Sequence, residues 1–309
     1  MSTKVSICIS TYKRPEGLTR LVNGINDLEF ETVEVPDIEI LVADNDKAGS
    51  AQAIYQSLKE TSRWPLTYSV EPQQGVTYAR NHSVRMASDQ SEFLVFIDDD
   101  EVPSRLWLDR LLSTQAEHQA DIVTGPVYPK FESNQPPQWV TKGGFFVPGE
   151  QGTATPVSVA FTNNVLVKTS LVKPLREPFD HRFAFRGSED AYLFMSLYKQ
   201  GAVIIWNDEA FVYEFIPETR TRIKWLLDSA YFGWSSHSVV ERELFPSLKK
   251  QGVRLVKGIL SIIYGALRTI PSLFLGKHEL VKSLVYCSRG YGTLSGLVGV
   301  HGGWGGTKR

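Results

Sequence analysis

The chain has little of what usually announces a protein's class. Only two cysteines occur in its 309 residues, Cys8 and Cys287, and neither belongs to a CxxC pair. That excludes a disulfide framework and points to a reducing, cytoplasmic setting. No run of 18 uncharged apolar residues is present, which argues against a simple membrane-spanning helix. The N-terminus, MSTKVSICISTYKRP, has no long apolar stretch of the signal-peptide kind. The six histidines (His82, His118, His181, His237, His278, His301) show no metal-ligand spacing. Repeats and low-complexity tracts are missing. A net charge of −1 argues against nucleic acid as a partner.

What is there is an ordinary globular composition, 42% hydrophobic and 22% charged, arranged as alternating strands and helices. Strands are expected at 5–11, 38–44, 66–70, 92–98, 121–127, 159–168 and 203–206. Helices are expected around 18–28, 51–58, 78–86, 106–112 and 188–198, with an all-helical stretch from Ile223 onward. Strands separated by helices of this length predict an α/β fold with a parallel sheet covered on both faces. Such sheets bind ligands beyond the C-terminal ends of their strands. The Pro-, Gly- and aromatic-rich segment Pro129–Pro156 reads as a long functional loop. Its Trp139, Phe145 and Phe146 could stack on a sugar or pin the loop to the core.

Three strand ends carry chemistry: Thr11, Tyr12, Lys13 and Arg14; Asp44, Asn45 and Asp46; and Asp98, Asp99, Asp100 and Glu101. Four consecutive acids raise one another's pKa, and a divalent cation offsets that cost. Mg²⁺ uses one or two carboxylates together with phosphate oxygens and water, so the run suggests a metal that carries a diphosphate. A solvated acidic turn is the plainer reading. DDDEV also fits the D-x-D-x-V nucleophile motif of haloacid-dehalogenase-like phosphatases, with Asp98 as nucleophile. Against this, three strand–helix units precede it, and no Lys and acidic pair follows at matching strand ends. A second cluster, Glu189 and Asp190, opens a helix; Ser188 fits as its N-cap, and acids in a first turn suit the helix dipole.

Taken in order, VSICISTYKRP (5–15), IEILVADND (38–46), GVTYARN (75–81), LVFIDDDE (94–101), FTNNVLV (161–167) and GSEDAYLF (187–194) resemble family 2 glycosyltransferases of the GT-A fold, over roughly residues 4–235. VYEFIPETR (212–220) is similar to the bacterial exopolysaccharide, succinoglycan-type subgroup. The resemblance implies the following roles. Thr11, Tyr12, Arg14, Asp44, Asp46 and Arg80 bind the nucleotide-sugar, with Asp44 at the base. Asp98 and Asp100 hold Mn²⁺ or Mg²⁺, with Asp98 also binding the donor and Asp99 facing ribose or sugar. Asp190, supported by Glu189, is the catalytic base of an inverting transfer. Trp139, Asn163 and Asn164 face the acceptor. Relatives often carry a His near 212–217, where this chain has Tyr213 and Glu214; Glu214 could coordinate in its place. The implied partners are a nucleotide-sugar, probed first as a UDP-hexose, and a saccharide acceptor on polyprenyl diphosphate. A non-catalytic nucleotide-sugar-binding protein is a further alternative.

The near-neutral total hides a split. Ser247–Arg309 holds ten Lys and Arg against one acid, Glu279, a charge of +9 that leaves −10 on residues 1–246. A helix is expected over Gly252–Ile270, ended by Pro271. Arg254, Lys257, Ser261, Gly265 and Arg268 fall on one stripe of it, and most other positions are apolar. The expected organisation is a catalytic domain over 1–235 and a basic amphipathic tail over 236–309. Two placements suit that tail: on the inner surface of the cytoplasmic membrane, or packed on the enzyme with its cations solvated.

Overall fold

A computed structural model describes residues 2–149 and 151–300. In chain order it contains β1 (Lys4–Thr11), α1 (Pro15–Asn26), β2 (Asp37–Asp44), α2 (Gln52–Thr61), β3 (Leu66–Val70), α3 (Val76–Met86), β4 (Phe93–Phe96), β5 (Glu101–Pro103), α4 (Trp107–His118), β6 (Ile122–Thr124), β7 (Val127–Phe131) and α5 (Gln138–Gly143). There follow β8 (Thr155–Val157), β9 (Val165–Lys168), α6 (Thr169–Val172), α7 (Glu189–Lys199), β10 (Ile204–Trp206), β11 (Val212–Ile216), α8 (Ile223–Leu244), α9 (Leu248–Leu275) and α10 (Lys277–Leu297).

The residues group into two compact units. One is Met1–Pro129, Pro148–Ala184 and Leu193–Glu214; the other is Lys130–Val147, Phe185–Tyr192 and Phe215–Arg309. The first is built on an eight-stranded sheet of order β3-β2-β1-β4-β9-β6-β10-β8. It is mostly parallel, but β9 runs antiparallel to both β4 and β6, and β8 antiparallel to β10. The expected α/β fold, a mostly parallel sheet flanked by helices with a C-terminal helical extension, therefore holds. Helix α1 shows why the sheet folds. Its Leu18, Leu21, Val22 and Ile25 recur at helical spacing and are fully buried, each contributing about 2 kcal/mol.

Two expected strands differ. The 121–127 strand is split into β6 and β7 at Gly125-Pro126, where proline has no N–H for the ladder. The 159–168 strand begins only at Val165, because Asn164 ends a turn whose N–H donates to the Phe161 carbonyl (3.2 Å). Asn164 is fully buried and ties three segments together. Its Oδ1 accepts from Trp107 Nε1 at 2.8 Å, and its Nδ2 donates to the Pro126 and Ala210 carbonyls at 3.1 and 2.7 Å. Short β5 pairs antiparallel with β11 and places Glu214 opposite Glu101.

In the second unit α8 runs unbroken through residue 235, and α8, α9 and α10 pack together. The α9 helix does not stop at Pro271; it continues to Leu275 and ends before Gly276, at φ +106°. Proline removes one hydrogen bond, and packing on α10 compensates: Ser272 Oγ meets Ser283 Oγ at 2.8 Å, and Arg268 pairs with Glu279. The loop aromatics Trp139, Phe145 and Phe146 belong to one apolar cluster with Leu226, Val281 and Val285.

Candidate active site

In the sheet order the chain moves outward from β1 to β2 and β3, then returns to β4 on the other side of β1. The switch point, where such sheets bind ligands, therefore lies between the C-terminal ends of β1 and β4. β1 ends at Thr11, and the acid run follows β4. Thr11 Oγ1 donates to Asp99 Oδ2 at 2.8 Å, closing this point from one strand end to the other. Arg14 Nη1 lies 2.9 Å from Asp99 Oδ1 and 2.8 Å from Asp100 Oδ2. Arg80, in α3, pairs with Asp98 Oδ1 at 3.0 Å. The run thus carries two arginines against its charge.

The four acids are not equivalent. Asp99 is 5% exposed and spends both oxygens on Thr11 and Arg14, so its side chain is turned into the protein rather than toward a ribose or sugar. Burial raises its pKa to about 6, against the pull of Arg14. Glu101 is 2% exposed and accepts the Asp98 N–H at 3.0 Å. Burial, with Asp98, Asp100 and Glu214 nearby, holds its carboxyl well above the ordinary range. Asp98 and Asp100 keep the outermost positions, with side chains 36% and 16% exposed.

Asp44 sits opposite Thr11 in the β1–β2 register. It is fully buried and accepts from Asp46 N (2.9 Å), Ala51 N (2.8 Å) and Tyr68 Oη (2.8 Å). Asp46 itself turns toward Ala48 N at 3.2 Å. Tyr12 Oη accepts from Gln74 Nε2 at 3.2 Å, tying the first strand end to the loop before α3. Asn45 fixes that loop from within, bonding the carbonyls of Glu71 and Gln73 and the N–H of Gly75 at 3.1, 2.7 and 2.8 Å. Glu214 is brought into the acidic cluster through its register with Glu101. Asn163 is half-buried at the turn that precedes β9.

Glu189 and Asp190 begin α7 within the second unit. Asp190 Oδ1 accepts the Ala191 N–H at 2.7 Å, and Glu189 is buried. The segment is anchored on α8: Tyr192 Oη donates to Glu243 at 3.0 Å, and a Cβ on Gly187 would meet Phe232 Cζ at 2.9 Å. Gly187 and Ser188 have φ of +71° and +75°. The Ser188 carbonyl accepts the Tyr192 N–H at 3.0 Å, but its left-handed backbone is not the extended conformation from which a serine side chain caps a helix. Trp139 meets Phe145 edge-on (5.8 Å between centroids) and carries Lys277 over its ring at 4.8 Å, so it serves the apolar cluster.

Among the described residues no three His, Cys, Asp or Glu side chains form a ready-made metal cage. Outward Asp98 and Asp100 suit instead a hard cation that takes one or two carboxylates and fills its shell with phosphate oxygens and water.

Two strand-end residues gain a specific role from the structure, and one further contributor, Gly17, was not legible in the sequence. Glu101 orders the run through the Asp98 N–H. Asn45 sets the loop before α3. Gly17 has no signal in its neighbours, yet a Cβ there would lie 2.3 Å from the Asp99 carbonyl. Gly17→Ala is therefore expected to destabilise the chain by about 1–3 kcal/mol and to displace the acid run. Urea unfolding and nucleotide titration of the same variant check this; native-like values in both would show that the contact relaxes freely.

A mostly parallel sheet with an acid run clasped at its switch point defines the GT-A class of fold. Residues 6–175 match the family described as Glycosyl transferase family 2, and the chain belongs to that family. It is a glycosyltransferase, and the phosphatase reading of Asp98 gives way to it. The chain is 27% identical over 299 residues to the succinoglycan biosynthesis protein ExoM of Rhizobium meliloti, covering 96% of this chain and 93% of that protein. Among solved structures it resembles the mannosyltransferase PcManGT from Pyrobaculum calidifontis in complex with GDP-Man and Mn2+ (TM-score 0.64, 16% identity, 96% and 88% of the two chains). It also resembles S. aureus TarS 1-349 (TM-score 0.54, 16% identity, 95% and 91%).

Proposed function

We propose that this chain is an inverting, metal-dependent hexosyltransferase acting from UDP-hexose on a hydroxyl of a polyprenyl-diphosphate-linked saccharide. Its role is in bacterial surface polysaccharide synthesis, at the cytoplasmic face of the membrane. The observation that carries this is the clasp of Thr11, Arg14 and Arg80 on Asp98–Asp100 at the sheet's switch point. It supports this reading because two cations and two partly exposed carboxylates lie together at one strand-end position, a combination that suits a diphosphate and its counter-ion. Near full-length likeness to a succinoglycan biosynthesis protein supports the polysaccharide setting.

In this reading Asp46 and Tyr12 line the nucleoside side, the buried Asp44 shapes that side from within by holding Asp46 N and Tyr68 Oη, and Arg80 faces the diphosphate. Asp98 and Asp100 would hold Mn²⁺ or Mg²⁺, which when bound offsets the charge gathering on the departing diphosphate. The Asp190 carboxylate takes the proton from the acceptor hydroxyl. That oxygen bonds to the anomeric carbon from the face opposite the leaving group. The bond from the anomeric carbon to the β-phosphate oxygen breaks, and the electron pair leaves with the nucleoside diphosphate. One displacement turns an α-linked donor into a β-linked product, with no covalent enzyme intermediate. Asn163 is the candidate acceptor contact beside the buried Asn164, and Glu214 completes the acidic wall.

A panel of UDP-sugars with Mn²⁺, read by nucleotide release with and without lipid-linked acceptors, tests the assignment. Acceptor-stimulated release from one UDP-hexose is expected. Binding without turnover in the presence of acceptors would favour a non-catalytic nucleotide-sugar-binding protein.

Asp99 also sets a pH dependence. The native carboxyl keeps its proton to about pH 6, whereas the ordinary value is 3.8. Its contribution to stability is therefore full below 3.8 and is lost as pH rises through about 6. The clasp on Arg14 needs the ionised form, so kcat/KM should fall below about pH 6. Arg14 holds this pKa down, so Arg14→Ala should move the acidic limb to higher pH. An unmoved limb would assign that titration to another group.

A further inference from the structure

Helix α9 is turned the opposite way from a soluble amphipathic helix. Its polar and small residues face α8 and α10. Arg254 pairs with Glu241, Arg268 pairs with Glu279, and Ser261 Oγ donates to the Tyr286 carbonyl at 2.8 Å. Gly265 packs against Cys287 and Ser283. The stripe expected to be solvated is therefore largely the packed side, with Lys257 exposed at its edge.

The apolar residues are left outside. Val256, Ile259, Ile263, Leu267, Ile270 and Phe274 fall along one face and are 42–86% exposed. From Val256 to Phe274 that face is about 27 Å long, far beyond the scattered apolar residues of an ordinary surface. By length and composition α9 is also apolar enough to cross a membrane, although it holds no uninterrupted apolar run of spanning length.

We infer that this face is a docking surface for an anionic lipid bilayer, with α9 lying in the plane of the interface; the inference deepens the membrane placement proposed above. Two observations select this occupant. The edges of the face are of one sign: α9 contains no acid, Lys249, Lys250, Lys257 and Arg289 are exposed, and the single acid of α10, Glu279, is committed to Arg268 and Lys282. Anionic headgroups complement such an edge, whereas a second copy of the chain would bring the same positive charges against it. The reverse side of α9 carries ion pairs and two further helices. A helix lying flat, with one face immersed by about 5–10 Å, accommodates them, and a spanning helix does not. Glu189, Asp190 and α9 belong to one compact unit, so this surface and the proposed catalytic base are carried on the same body.

The test is flotation of the full chain with vesicles of phosphatidylcholine alone or mixed with phosphatidylglycerol, alongside size-exclusion chromatography without lipid. The native chain should float with the anionic vesicles. Leu267→Asp combined with Phe274→Asp should reduce partitioning by at least about tenfold, and Lys249→Glu combined with Lys257→Glu should abolish the preference for phosphatidylglycerol. Both pairs sit on the surface, so UDP binding with Mn²⁺ should stay native. Equal flotation of the Leu267/Phe274 variant would overturn the inference. A lipid-free dimer that this variant dissociates would overturn it too, in favour of a second copy. Loss of flotation with intact UDP binding speaks to this surface, and failure of UDP binding in the native chain speaks only to the donor reading.

Discussion

Asp190→Asn is expected to lower the rate of transfer by about two to four orders of magnitude, while UDP and donor affinity stay within about twofold of native. The substitution keeps the shape of the side chain, and its amide oxygen can still accept the Ala191 N–H that holds Asp190 Oδ1 at 2.7 Å. What is lost is the negative charge and basicity with which the carboxylate takes the proton. Asp190 is assigned to the acceptor hydroxyl and holds neither the cation nor the diphosphate in this account, so donor affinity should be little changed. Single-turnover transfer and calorimetric titration on the same preparation separate the two quantities. Equal losses in both would remove Asp190 from the role of base.

Asp100→Ala is expected to act on the other half of the reaction. Donor affinity measured with Mn²⁺ should fall by tenfold or more, about 1.4 kcal/mol, and the difference between titrations with and without metal should vanish. Arg14 complicates the comparison, because it spans Asp99 and Asp100 and would be left with Asp99 alone. Asp100→Asn keeps a polar partner for Arg14 and isolates the charge that a cation needs. If both variants keep native metal dependence, the cation is held elsewhere.

Much of the fold and of the candidate site was legible, for identifiable reasons. β1 through α4 are strongly periodic, and their ends carry the chemistry, so Thr11, Asp44 and the acid run stood out at strand termini. The motifs in their order carried the family. What was hidden depends on contacts between distant residues. Asp99 reads as one acid among four; only the approach of Thr11 and Arg14 turns it inward and leaves Asp98 and Asp100 outermost. Asn163 and Asn164 are neighbours in the chain, yet one ends half-buried at a turn and the other joins Trp107, Pro126 and Ala210 in the core. The tail misled in a different way. Its helical stripe was visible, but periodicity does not say which side faces inward. Glu241 and Glu279 supply partners that draw the arginines into the helix packing, and Pro271 is tolerated because α10 lies alongside.

The account's central claim is a single displacement at the anomeric carbon, driven from the clasped acid run. The most direct measurement is the anomeric configuration of the product, read from the proton coupling constant in the NMR spectrum after transfer from an α-linked UDP-hexose. The account predicts a β-linked product from the first turnover onward. An α-linked product would contradict it, since retention needs either two displacements or attack from the leaving-group face.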